Sequence, residues 1–197
     1  MLLRDRYSFK CLWVRVQIMN EAQRDLQFAR IKQYFTQADK ALAMKGKLPL
    51  GSTEKGFWGT AHLDDVYELF KRLELHQESH LLDLGSGDGR VVFVAALFTQ
   101  ATGIEFDEKL HNAALAAADA LQIPGAHFIL GDYTDHDLSV YSVWFSYADH
   151  NFTWLESKVH ELTKLHLYHD TFHPHFLEKG KITWVGQIPV FTYTRKT

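Results

Sequence analysis

One cysteine, Cys11, stands in 197 residues. That scarcity excludes an intrachain disulfide framework and any cluster of thiolates around a metal, and it fits a reducing compartment. It also removes a thiol nucleophile from pyrimidine chemistry unless Cys11 itself reaches the site. Long hydrophobic runs are lacking as well. "CLWVRVQIM" is apolar but short and carries Arg15, so it does not span a bilayer. Asp5 and the want of a small-residue cleavage site argue against a secretory signal. A cytoplasmic protein without a membrane span is expected. No internal repeat, low-complexity tract or strongly basic balance occurs, and nucleic acid is not the expected partner.

What is present is the balance of a soluble, packed chain: 46% hydrophobic residues, 23% charged, and a net charge of −3. The charge is unevenly spread. Residues 1–50 hold ten Lys and Arg against four Asp and Glu, whereas residues 51–197 hold eleven against twenty. A basic helix packed on an acidic body accounts for this, with a contact surface for an acidic partner as the alternative. The division expected is an N-terminal helical appendage, 1–50, and a main domain, 51–197. In the appendage, Asn20 and Gln23 have capping-box spacing, and Phe28, Ile31, Phe35, Ala38 and Leu42 recur with helical period. "LWVRVQI" before it reads equally as a strand or as first helical turns. "KGKLPLGSTEKGFWG" reads as a hinge.

From residue 61 onward, helix and short apolar strand alternate. "HLDDVYELFKRLEL", "GRVVFVAALF", "DEKLHNAALAAADAL" and "FTWLESKVHELTK" are expected helices, the third ended by Pro124 and Gly125. "HLLDL", "ATGIEF", "AHFIL", "YSVWFSYA" and "LHLYHDTF" are expected strands, and "KITWV" with "VFTYTR" closes as a hairpin around "GQIP". Such alternation implies an α/β fold with a mostly parallel sheet and right-handed crossovers.

The stretch "LLDLGSGDGR" puts a strand carboxylate, Asp83, before a glycine-rich turn into a helix. Glycines let backbone approach a nucleoside closely, and the helix start offers free N–H groups. Dinucleotide-binding proteins use a similar turn, but Arg90 stands where their third glycine falls after Gly85 and Gly87. Glu105 ends the second strand, where a carboxylate can accept both hydroxyls of an unphosphorylated ribose. Asp132 ends the third, placed for an adenine amino group, with Tyr133 beside it as a ring to stack on the base. Three strand-end carboxylates suit a ligand with an amino group and ribose hydroxyls but no phosphate, a description that fits S-adenosylmethionine.

"LLDLGSGDGR", "GIEFD" and "ILGDY" resemble the first three motifs of class I S-adenosylmethionine-dependent methyltransferases, over roughly residues 55–197. More narrowly, "LDLGSGDGRVV", "GIEFDEKL", "DLSVYSVWFSYAD" and "IPVFTYTR" look like the small seven-strand protein-lysine methyltransferases of archaea and mitochondria. The resemblance implies a Rossmann-like, doubly wound sheet with a C-terminal antiparallel hairpin, S-adenosylmethionine as cofactor, and a protein substrate. It also implies that Phe57, Trp58 and Thr60 of "GFWGTAH" close over the cofactor. The cofactor-binding set is then Trp58, Thr60, Asp83, Gly85, Gly87, Asp88, Glu105, Phe106, Asp132 and Tyr133.

For the chemistry, the end of the fourth strand, "SYADHNF", offers Tyr147 and Asp149 as pocket walls and amine acceptors and His150 as a base, its ordinary pKa of about 6.5 leaving it largely neutral in cells. The strand lacks the Asn/Asp-Pro-Pro-Tyr/Phe signature used on base amines and glutamine amides. Five of the twelve histidines, His160, His166, His169, His173 and His175, fall close together. They are read as strand and cleft residues, with no metal in the predicted site. Alternatives to a protein-amine methyltransferase are a cofactor-binding assembly module without turnover, a methyltransferase of small molecules, and a nicotinamide-dependent oxidoreductase.

Overall fold

A computed structural model describes residues 19–54, 56–147, 153–168 and 173–196. "LWVRVQI" and Cys11 lie outside them, as does the side chain of Phe57. The first helix, α1 (Glu21–Met44), starts on the capping box expected. The Asn20 side chain accepts from the Gln23 N–H at 3.0 Å, and the Gln23 side chain accepts from the Asn20 N–H at 3.0 Å. Of its apolar stripe, Ile31 and Phe35 are buried in the main core. Residues 45–59, expected as a hinge, instead form an antiparallel hairpin of β1 (Leu50–Thr53) and β2 (Gly56–Gly59). Glycine makes this possible: Gly51 pairs with Trp58, and a Cβ at Gly51 would sit 3.0 Å from the indole Nε1.

Helix α2 (Leu63–Arg72) carries Asp64 and Asp65 in its first turn and Lys71 and Arg72 in its last, which complements the helix dipole. Strand β3 (His80–Leu84) runs into α3 (Arg90–Ala95), then β4 (Gln100–Glu105), α4 (Glu108–Leu121), β5 (Ala126–Leu130) and β6 (Val143–Tyr147). Helix α5 (Thr153–Lys158), β7 (Lys164–Tyr168), β8 (Leu177–Val185) and β9 (Ile188–Arg195) complete the chain. Three helices are shorter than the sequence pattern suggests, α2 among them, which stops at Arg72 before Leu75. Residues 96–98 leave the helical path after Ala95, and α5 stops at Lys158 so that Lys164 can open β7. Helix α4 ends at Gln122, in the left-handed region at φ 53°, before Pro124 and Gly125 are reached.

The seven-stranded sheet has the order β5-β4-β3-β6-β7-β9-β8, parallel except that β9 runs antiparallel to β7 and to β8. Strand β3 is buried along its whole length because both faces are covered. Leu81 joins the core under α1 to α4, and Leu82 joins the core with Leu155 of α5. The chain moves outward from β3 through β4 to β5, then returns to place β6 on the other side of β3. That reversal opens a crevice beyond the carboxyl ends of β3 and β6, the usual ligand position in such sheets. Among the described residues no helix is long and apolar enough to cross a membrane.

Candidate active site

The crevice is a cavity of about 480 Å³. The strand ends bring Asp83, Glu105, Asp132 and Tyr147 to it, and the hairpin brings Trp58, with Thr60 just beyond. Gly85, Gly87, Asp88, Phe106 and Tyr133 also line it. The expected residues that the structure describes thus converge on one space. Asp149 and His150 lie outside the described residues.

Asp83 is 4% exposed, and among the described residues no hydrogen-bond donor reaches its carboxyl group. Burial pushes its pKa up to about 8, and the nearby Glu105 and Asp88 carboxylates add to the shift. Glu105, in contrast, is held by two amides: the Gly87 N–H donates to Oε2 and the Asp107 N–H to Oε1, both at 2.7 Å. The first bond depends on Gly87 lying at φ 55°, a conformation that side chains other than glycine rarely adopt. Asp132 turns the chain after β5, its Oδ1 accepting from the Thr134 N–H at 2.9 Å and the Thr134 hydroxyl at 2.7 Å. The Tyr133 ring stands 4.8 Å from that of Trp154.

Tyr147 packs beside Tyr168, ring centroids 4.7 Å apart, and their hydroxyls are hydrogen-bonded. Burial, then the Tyr168 hydroxyl, pushes the Tyr147 pKa far up. Its hydroxyl therefore keeps its proton and can orient an amine without serving as a base.

Three residues escaped the reading of the sequence. Arg90, noticed only for displacing a glycine, is 5% exposed and binds Asp88 through Nη2 at 2.7 Å and Asp39 of α1 at 2.9 Å. Asp88 consequently turns its carboxylate toward Arg90 while still bordering the cavity. Trp154 joins the lining from α5, and Tyr168 supports Tyr147 from β7. An aromatic placed just after a central strand, as in "FTWLES", was the one signal available for Trp154. Among the described residues no group of three metal-ligating side chains converges. His166 is buried and bonded to Thr192 at 3.0 Å, and His173 meets the Tyr193 hydroxyl at 2.6 Å. His169 lies outside the described residues.

Residues 52–130 match the family model described as "Histone methylation protein DOT1". An RNA methyltransferase from Salinibacter ruber, solved in complex with S-adenosyl-L-homocysteine, superposes with a TM-score of 0.60 at 20% identity, covering 70% of this chain and 95% of that one. Magnesium protoporphyrin IX methyltransferase from Synechocystis, with bound S-adenosylmethionine, gives 0.55 at 12% identity, covering 68% and 77%. An S-adenosylmethionine-dependent methyltransferase from Aquifex aeolicus gives 0.54 at 14%, covering 66% and 88%. The chain has the fold of the class I S-adenosylmethionine-dependent methyltransferases. No curated protein sequence matches it.

The cavity of this methyltransferase fold suits that cofactor chemically. The Asp83 carboxyl, buried beside other carboxylates and lacking a donor among the described residues, matches an ammonium group. Glu105, oriented by two amides, keeps lone pairs for ribose hydroxyls. A Cβ at Gly85 or Gly87 would meet nothing within 4 Å, so the turn leaves room for a ligand against the backbone.

Proposed function

We propose that the protein transfers the methyl group of S-adenosylmethionine to an amine of a protein, a lysine side chain. The observation that carries the reading is the charge of the cavity. Four acidic side chains line it, Asp83, Asp88, Glu105 and Asp132; Asp83 holds its proton until a cation faces it, and the guanidinium of Arg90 is already held by Asp88 and Asp39. Such a site favours a cationic, phosphate-free donor and a basic acceptor, and it disfavours a polyanion. The match of residues 52–130 to a histone methylation family supports a protein substrate, as does the sequence resemblance to lysine methyltransferases.

In this reading Glu105 holds the ribose, Asp132 and Tyr133 receive the adenine, and Asp83 faces the amino group, with Trp58 and Thr60 closing the cavity from the hairpin side. Phe106, 41% exposed just after β4, adds an apolar wall. Gly85, Gly87 and the Asp88 turn supply backbone at close range. When bound, S-adenosylmethionine supplies a methyl group on an already activated sulfonium, so positioning is the main task left to the protein. Tyr147, fixed by Tyr168, presents its hydroxyl to the acceptor amine. Asp149 and His150 follow it in sequence as a further acceptor and as the base that keeps the amine neutral.

Incubating the protein with labelled S-adenosylmethionine and an extract stripped of prior methylation tests the reading. Label should enter material destroyed by protease and resistant to nuclease, appear as methyl-lysine after hydrolysis, and vanish with Asp83→Ala or Glu105→Ala. Label in nuclease-sensitive material would replace the protein substrate with RNA.

A further inference from the structure

Arg90 links the N-terminal helix to the ribose end of the cavity through short polar contacts and one peptide step along the glycine turn. Asp39 of α1 accepts from Arg90 Nη1 at 3.2 Å and from Nη2 at 2.9 Å. Arg90 Nε and Nη2 then donate to both oxygens of Asp88, at 2.7 to 3.1 Å. Asp88 follows Gly87, whose N–H holds Glu105 Oε2 at 2.7 Å. The guanidinium also lies 4.8 Å above the centre of the Phe35 ring, again from α1. Two carboxylates flank a cation that is almost wholly shielded from water, so its position depends on both.

We infer that Asp39 is a positioning residue for the cofactor: through Arg90 it sets the glycine turn and so the orientation of Glu105. The inference rests on the proposed cofactor site. Helix α1 on this view is part of the machinery that grips the nucleoside, although it contributes no residue to the cavity wall. Without Asp39 one side of the guanidinium has no counter-charge, Arg90 is drawn toward solvent, and the turn carrying the Gly87 N–H loses its brace. The neighbouring tether between α1 and α2, Lys32 to Asp64 at 2.7 Å, makes no contact with the turn and isolates the effect of the helix merely staying docked.

Calorimetric titration with S-adenosylhomocysteine of the full chain, of Asp39→Asn, of Asp39→Glu and of Asp64→Asn tests this. Asp39→Asn should raise Kd roughly five- to twentyfold, in the lower range of coupling between linked sites. Asp39→Glu should recover most of the loss, and Asp64→Asn should leave Kd unchanged. Because the route ends at the ribose, the loss should disappear when 5′-methylthioadenosine is replaced by its 2′,3′-dideoxy counterpart. Equal binding by Asp39→Asn and the unaltered chain overturns the inference. An equal loss in Asp64→Asn, or a loss that persists without ribose hydroxyls, overturns it as well. No binding by the unaltered chain would instead remove the cofactor reading.

Discussion

At the residue scale, the chemistry of Asp83 follows from where β3 ends. Burial beside Glu105 and Asp88 keeps its carboxyl protonated up to about pH 8 in the folded chain, whereas in the unfolded chain it ionises near 3.8. A ligand ammonium favours the ionised form, so binding below pH 8 should expel a proton. Titration with S-adenosylhomocysteine at pH 7 in two buffers of different ionisation heat should give enthalpies that differ accordingly, and affinity should rise with pH until about 8. Identical enthalpies in both buffers would count against a cation facing Asp83. Glu105 invites a second test. Glutamine in its place can accept through only one of its two terminal atoms, so either the Gly87 or the Asp107 amide is left without its bond. Glu105→Gln should weaken cofactor binding roughly ten- to hundredfold, the scale of a lost charge-assisted hydrogen bond. An unchanged Kd would contradict its role at the ribose.

At the scale of elements, the turn between β3 and α3 works because it is both strained for ordinary residues and tightly packed behind. Gly89 caps α3 at φ 82°, and a Cβ there would lie 2.5 Å from Phe128 Cε1. Gly89→Ala should therefore cost about 2 kcal/mol or more, adding backbone strain to a clash that β5 must absorb. Urea unfolding measures it, and a loss below about 0.5 kcal/mol would mean that β5 yields freely. Much of this element was legible beforehand, because a buried strand, alternate glycines and a second apolar run leave few other folds for the stretch. The hairpin of β1 and β2 was not. Its residues are rich in turn formers, and it becomes sheet because Gly51 leaves a place for the Trp58 indole, a contact across strands that no local pattern announces.

At the scale of the whole molecule, three buried groups oppose one another in acid. Burial lowers the pKa of His80 to about 4 and of His166 to about 3, from an ordinary 6.5. Each contributes stability that is present above 6.5 and is lost as pH falls toward the folded value, because only the unfolded chain then takes up the proton. Asp83 acts in the other direction: its folded pKa is raised, so stability falls as pH climbs from about 4 to about 8. Between 8 and 6.5 acidification is governed by Asp83 and stabilises; below 6.5 two histidines outweigh one carboxyl and it destabilises. Among these groups the optimum falls near pH 6.5, with a slope of about 1.4 kcal/mol per pH unit for each proton in the balance. Urea midpoints from pH 4.5 to 9 should trace that maximum. Asp83→Asn should flatten its alkaline side and leave the acid side falling more steeply. A curve that keeps its alkaline decline in Asp83→Asn would show that another group is responsible.

The order of strands and helices, the position of the glycine turn and the acidic strand ends were set locally, since each depends on spacing along a few residues. Period-two and helical repeats, caps and glycines act over one turn or one strand, and such patterns survive in a bare sequence. What Arg90 does was decided only in three dimensions. Its partners lie 51 residues before it and two before it, and a buried cation is tolerated only where both carboxylates arrive together. The pairing of Tyr147 with Tyr168 likewise awaited the alignment of β6 with β7. Proximity across the sheet, and the loss of water that comes with it, converts ordinary carboxyl and phenol groups into the ones this cavity contains.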